Sequence, residues 1–206
     1  MIRTVQSQLI FIGKFFRFPR QIGAILPSSP ALARRIVHLA GASNSNTIVE
    51  FGPGTGVFTK EIIAKMPETA RLITVEADAN LALLLRKKYR RAHVAAGYAQ
   101  HIQRIMKAHK LSEADCIVSG LPWATFNPKL QDDILTSAYA VLKPGGIFTT
   151  FGYLHALSLP SAKRFYTKLH QTFPSVHVSR VVWKNVPPAI IYQCTKAKAP
   201  VRSDLN

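Results

Sequence analysis

Glu50, Gly52, Gly54 and Gly56 lie in the stretch that most narrows what this chain can fold into. A β-branched apolar run, Thr47-Ile48-Val49, leads into the carboxylate of Glu50, and three glycines follow at alternate positions. Apolar residues at helical spacing, Val57, Phe58, Ile62 and Ile63, resume directly afterwards, so the order is strand, tight turn, helix. Glycines admit backbone angles closed to other residues and let a ligand lie against bare main chain. The start of the helix adds unpaired N–H groups. A second acid, Glu76, ends the next apolar run, Leu72-Ile73-Thr74-Val75. An acid about 20 residues past a glycine-rich turn is placed to accept both hydroxyls of a ribose. Turn and acid together point to a nucleotide-type ligand, against the plainer reading of a strand-to-helix bend that binds nothing.

Further along, strands and helices alternate, as in an α/β domain with a mainly parallel sheet. Third and fourth strands are expected at residues 92–96 and 114–118. A helix from Asn127-Pro128 should stop at Lys143-Pro144-Gly145-Gly146, with a fifth strand over 147–151. A helix near 160–173 then precedes strands at 175–183 and 189–195, joined as a hairpin through Asn185-Val186-Pro187-Pro188. Ahead of the glycine turn, Ser29 can cap a helix with Pro30 in its first position, ending near Gly41. The expected division is a helical arm over residues 1–41, a core domain over 42–197 and a disordered tail over 198–206. A length of 206 residues suits one such core.

Charge is distributed unevenly. The formal net charge is +17, yet no acid precedes Glu50 and none lies between Asp133 and Asp204. Residues 1–49 and 134–203 are purely basic, which implies a polyanionic partner, either nucleic acid or an anionic membrane. Residues 1–18 bear on that choice. On a helical wheel Ile2, Val5, Leu9, Ile12 and Phe16 share a face flanked by Phe11 and Phe15, with Arg3, Lys14 and Arg17 opposite. That pattern fits a helix lying in the headgroup plane; it equally allows a helix packed on the protein's own core, or a lid that does both. It is no transmembrane span, because cations interrupt it well short of ~20 apolar residues, and it lacks a signal-peptide cleavage site. An organelle transit peptide ranks lower. The two cysteines, Cys116 and Cys194, sit in apolar runs and read as buried free thiols. The seven histidines show no metal-ligand spacing, so no metal site is expected.

A dinucleotide fingerprint would place its third glycine where Val57 stands. The spacing Glu-x-Gly-x-Gly-x-Gly instead resembles motif I of the S-adenosylmethionine (SAM) dependent methyltransferases. Several other stretches resemble bacterial phospholipid N-methyltransferases, of the peripherally bound type related to ribosomal RNA adenine dimethyltransferases. They are Arg20-Gln21-Ile22-Gly23-Ala24 with Pro27-Ser28-Ser29, then Ser119-Gly120-Leu121-Pro122-Trp123, then Phe151-Gly152-Tyr153-Leu154-His155-Ala156-Leu157, and finally Ser179-Arg180-Val181-Val182-Trp183-Lys184-Asn185-Val186-Pro187-Pro188. The resemblance implies a Rossmann-like class I methyltransferase fold with a seven-stranded sheet, SAM as cofactor, and successive methylation of phosphatidylethanolamine towards phosphatidylcholine. It also implies a cytoplasmic location, peripheral to the inner face of the cytoplasmic membrane. Expected cofactor contacts are Glu50, Gly52, Gly54, Gly56, Glu76, Ala77, Gly97, Tyr98, Ser119 and Leu121. Tyr98 stands where many such enzymes hold the adenine with an Asp.

Methyl transfer from a sulfonium requires an aligned, neutral amine and little else. Tyr153 and His155, just past the fifth strand, are the candidate proton acceptors or orienters, and strand alternation would put them on one face. Trp123 and Tyr98 could flank a methylammonium, or Trp123 could simply be core. Arg180 and Lys184 are candidates for the lipid phosphate, or else solvated surface charges. Two rivals remain. An RNA adenine dimethyltransferase would carry Asn where Gly120 stands and a helical domain after the sheet, which makes nucleic acid the less expected partner. A non-catalytic binding module would not need Glu50, the glycines and Glu76 together. Deleting residues 1–18 is expected to abolish cosedimentation with anionic liposomes; unchanged sedimentation of the truncated chain would refute the docking role.

Overall fold

The computed structural model describes residues 28–198. The amphipathic stretch at residues 1–18 and the tail from residue 199 onward lie outside the described residues. The first described helix, α1 (Pro30–Leu39), starts as its sequence dictates: the Leu32 N–H donates to Ser29 Oγ at 3.2 Å, and Pro30 occupies the first turn. Then come β1 (Thr47–Phe51), α2 (Val57–Lys65), β2 (Arg71–Glu76), α3 (Ala79–Lys88), β3 (Ala92–Ala96), α4 (Ile102–Ala108) and β4 (Ala114–Ser119). The chain closes with α5 (Pro128–Val141), β5 (Leu142–Tyr153), α6 (Pro160–Thr172), β6 (Ser175–Val178) and β7 (Ala189–Thr195).

The seven strands form one sheet in the order β3-β2-β1-β4-β5-β7-β6, parallel except for β7, which runs antiparallel to both neighbours. Central strands are buried on both faces and therefore read as unbroken apolar runs, with successive residues serving opposite layers. In β1, Ile48 packs with Leu32, Ile36, Phe58, Ile62 and Leu85 of α1, α2 and α3. Its neighbour Val49 joins the other layer, with Ile102, Ile134 and Leu169 of α4, α5 and α6. The strand order reverses between β1 and β4, and at such a switch point the strand ends leave a crevice for ligands.

Three expectations change. First, α1 is no arm ahead of the core: Leu32, Ala33, Ile36 and Val37 are buried in it. A boundary at residue 41 therefore does not set this helix apart from the core. Second, Lys143-Pro144-Gly145-Gly146 does not precede the fifth strand but lies within β5. The Lys196 N–H reaches the Gly146 carbonyl and the Gly145 N–H reaches the Lys196 carbonyl, so β7 zips past the expected turn. Third, the sixth strand stops at Val178. Residues 179–188 make a long connection to β7 that meets that strand where the Ser179 N–H reaches the Ile191 carbonyl and where Val182 bridges Ala189.

Asn185 anchors that connection. It is buried, accepts the Ser29 N–H on Oδ1 at 2.8 Å and donates from Nδ2 to the Pro187 carbonyl at 2.7 Å. It thereby ties the β6–β7 connection to the start of α1. Ser29→Ala removes the α1 cap and should cost about 1 kcal/mol in urea unfolding; an unchanged midpoint would show that the cap contributes nothing.

Candidate functional site

The site grows from two bends at the carboxyl edge of the sheet. After β1, Gly52, Gly54 and Gly56 take φ of 65°, 55° and 86°. After β4, the Gly120 N–H donates to the Phe51 carbonyl at 2.8 Å, and a Cβ on Gly120 would stand 2.7 Å from the Gly52 carbonyl oxygen. That neighbour is backbone and cannot swing aside, so no side chain fits at Gly120. Gly56 serves packing: a Cβ there would lie 2.4 Å from the Tyr89 ring, whose hydroxyl donates to the Gly56 carbonyl at 3.0 Å. Gly56 locks α2 to α3 and lines neither of the cavities described below.

Glu76, at the tip of β2, spans the first bend. Its Oε2 accepts the Gly54 N–H at 3.1 Å, and its Oε1 accepts the Asp78 N–H at 3.0 Å. Burial raises its pKa, opposed by the bonds from Asp78 and Gly54. Glu50 lies deeper. Thr59 Oγ1 donates to its Oε2 at 2.7 Å, while Oε1 is buried with no partner. Burial above all, with the charge of Glu76 adding to it, pushes Glu50 up to about 8. Two buried carboxylates, one with a free oxygen, are what a cationic ligand would relieve. SAM carries both a sulfonium and an ammonium, so the donor set fits it.

Two cavities meet at this point, and Gly52 and Leu121 wall both. The smaller, of about 30 Å³, is also lined by Glu76, Ala77, Gly97 and Tyr98. Six of the expected cofactor residues are therefore brought together, with Gln100 and Phe126 added from segments that carry no motif. Here Glu76 would hold a ribose, and the Gly97–Gln100 segment would flank a base. Ser119 lines neither cavity; its Oγ accepts the Trp123 indole N–H at 3.1 Å and the Leu121 N–H at 3.4 Å. Its role is to hold the second bend in shape.

The larger cavity, of about 320 Å³, has no acid and no Lys or Arg among the described residues that line it. Tyr153 and His155 both reach it. Strand alternation is not the cause, because β5 ends at Tyr153 and His155 lies in a short 3-10 turn over Leu154–Ala156. The turn stacks the two rings at 5.8 Å with 19° between their planes. Burial lifts the Tyr153 phenol to about 12, so it stays protonated at neutral pH. Trp123 is only 3% exposed and stacks on Phe165 at 4.6 Å, while Gln131 Nε2 donates to its carbonyl at 2.8 Å. It is a fixed wall of this cavity, whereas Tyr98 lines the other. Arg180 and Lys184 are exposed and line neither. Tyr192, which does line it, was legible only as one more residue of the alternating β7 run. No group of three His, Cys, Asp or Glu suited to a metal occurs among the described residues.

Residues 48–146 match the family model described as a methyltransferase domain. An ornithine lipid N-methyltransferase of Singulisphaera acidiphila is 32% identical over 192 residues, which cover 92% of this chain and 96% of that protein. A ribosomal RNA small subunit methyltransferase A of Chlorobium limicola is 32% identical over 113 residues, 54% of this chain but only 40% of the relative. Among solved structures, the O-methyltransferase TomG from Streptomyces achromogenes in complex with SAM superposes with a TM-score of 0.63. It is 16% identical, and the match covers 92% of this chain and 90% of that one. At that identity the likeness speaks for the fold alone.

Glu76→Ala is expected to abolish the heat of SAM binding in calorimetry; wild-type affinity would mean that the ribose contact is misassigned. Glu50 makes stability without ligand depend on pH. Below its ordinary value of 4.5 both folded and unfolded chains hold the proton. Between 4.5 and about 8 only the folded chain does, so stability falls as pH rises through this window and levels off above it. Glu50→Gln should flatten that slope in melting curves recorded across the window; an unaltered slope would place the titration elsewhere.

Proposed function

Since the chain belongs to the bacterial lipid N-methyltransferases, with the class I methyltransferase fold and SAM as cofactor, we propose that it methylates the amine of phosphatidylethanolamine, towards phosphatidylcholine, at a membrane surface. The observation that carries this reading is the acid-free cavity abutting the donor pocket across Gly52 and Leu121. An aminolipid presents a primary ammonium with a pKa near that of lysine, ~10.4, and only its neutral form has a lone pair to offer. A cavity without a carboxylate gives the cation no counterion, and burial favours the neutral amine.

SAM, when bound, supplies a methyl group already activated by the positive sulphur. The chain's own residues position and deprotonate the acceptor. The Tyr153 hydroxyl, held protonated by burial, has an oxygen that can accept an amine N–H and so direct the lone pair towards the donor. His155, exposed at the cavity rim, takes the proton and passes it to water. Trp123 and Phe165, stacked together, wall off solvent.

Two readings of the acceptor compete. The relative from Singulisphaera acidiphila, matched over nearly its whole length, is named for ornithine lipid, which makes that aminolipid the second candidate acceptor here. RNA is disfavoured at Gly120, where an Asn side chain would collide with the Gly52 carbonyl. The basic ends of the chain and the amphipathic residues 1–18 support peripheral docking on the inner face of the cytoplasmic membrane. No helix among the described residues is long and apolar enough to cross one.

Labelled SAM offered with phosphatidylethanolamine, ornithine lipid and ribosomal RNA in parallel should label a lipid fraction. Label confined to RNA would overturn the reading, and label in ornithine lipid alone would correct the acceptor. His155→Ala should lower kcat by about 10²-fold with SAM affinity intact; an unchanged kcat would remove His155 from the proton path.

A further inference from the structure

The β6–β7 connection displays two side chains that the site does not use. Trp183 is 69% exposed and Val186 65%, the highest values among the large hydrophobic residues described. Loose surface loops often carry such residues, but this one is clamped. Between the two, Asn185 is 2% exposed and bonded to Ser29 and Pro187. On either side, the Val182 N–H donates to the Ala189 carbonyl at 2.7 Å, and the Ile191 N–H donates to Ser179 Oγ at 3.0 Å. The tip is held outward by part-buried polar bonds.

Its position is tied to the larger cavity at two points. Through Asn185 it holds Ser29, whose neighbour Ser28 lines that cavity. Through the Pro188 carbonyl it accepts the Leu154 N–H at 2.8 Å, between the cavity residues Tyr153 and His155. Leu159, on the cavity lining, is itself 48% exposed. Arg180 and Lys184 are exposed on the same connection. Apolar tip and flanking cations together match the residue types enriched at the headgroup layer, where Trp sits with its ring half-buried and Lys and Arg meet lipid phosphates.

We infer that the β6–β7 connection is an interfacial anchor that seats the larger cavity on an anionic bilayer, with Trp183 entering the headgroup layer. The inference rests on the lipid reading above and adds to it a surface separate from residues 1–18. Charge decides between occupants. Residues 1–27 carry cations and no acid, so they do not complement Arg180 and Lys184. A second copy brought face to face on this surface would set the same cations against each other, in a chain of net charge +17. Anionic lipid complements the cations and solvates Trp183 and Val186 together. Nucleic acid would complement the cations but leave Val186, Pro187 and Pro188 without an apolar partner.

The chain has two tryptophans, one buried and one exposed, which makes the test direct. Phosphatidylglycerol vesicles with brominated acyl chains should quench the wild type strongly and Trp183→Phe weakly. Trp183→Ala should weaken vesicle binding by about tenfold or more, as expected for losing one buried aromatic. Methylation of monomeric dihexanoyl phosphatidylethanolamine, which needs no surface, should stay at the wild-type rate in that variant. Equal quenching of wild type and Trp183→Phe would overturn the anchor. So would Trp183 already shielded from acrylamide without lipid, or single-stranded RNA displacing the vesicles. If the wild type methylates neither phosphatidylethanolamine nor ornithine lipid in mixed micelles, the lipid reading fails, whereas the quenching comparison judges the anchor by itself.

Discussion

The structure depends on one contact between main chains: the bend after β4 pressed against the bend after β1, with Gly120 over Gly52. A side chain on Gly120 would force the two strand ends apart by more than a small adjustment, because the obstructing atom is a carbonyl oxygen. Leu121 follows directly and walls both cavities. Closing this gap lets the two cavities share Gly52 and Leu121 as a common wall. In-line transfer needs that proximity, since positioning supplies much of the rate when the donor is already activated.

Electrostatics divide the molecule into three zones. The side of the glycine bend buries Glu50 and Glu76, both with raised pKa values, and leaves Oε1 of Glu50 without a partner. Such a pair is costly until a cation arrives, so ligand binding and local stability are coupled there. The larger cavity has no Asp, Glu, Lys or Arg among the described residues of its lining. An amine placed there loses its hydration and gains no counterion, which favours the form that can react. The exterior is basic, and its cations stand clear of both cavities, as Arg180 and Lys184 illustrate. Cations inside the acceptor cavity would suit a phosphate, but they would also draw anions towards the reacting nitrogen.

Much of this could be read from residue order. Local chemistry is sufficient for the strand–turn–helix around Gly52, the acid at Glu76, the Ser29 and Asn127 caps and the alternating α/β order. Each depends on neighbours a few positions away. Six residues named through the family resemblance line the smaller cavity, and they too sit on bends next to strand ends. Misplaced elements were those whose fate lay with distant partners. Lys143-Pro144-Gly145-Gly146 spells a turn, yet pairing with Lys196 draws it into β5. Gly56 spells a ligand contact, yet Tyr89 covers it. Arg180 and Lys184 read as ligands for the phosphate of a bound lipid, yet the β6–β7 connection places them clear of both cavities.

Sequence by itself therefore determined the class of fold, the glycine motif and the basic flanks, since these are properties of short windows and of composition. Tertiary structure alone decided which side chains share a cavity. Tyr153 and His155 stack because a 3-10 turn ends the strand between them, and Tyr192 joins them from an antiparallel neighbour. Asn185 is buried because α1 begins just beside it. The physical reason is common to all three: a periodic pattern states which way a side chain faces, but only the packing of separate elements states what it faces.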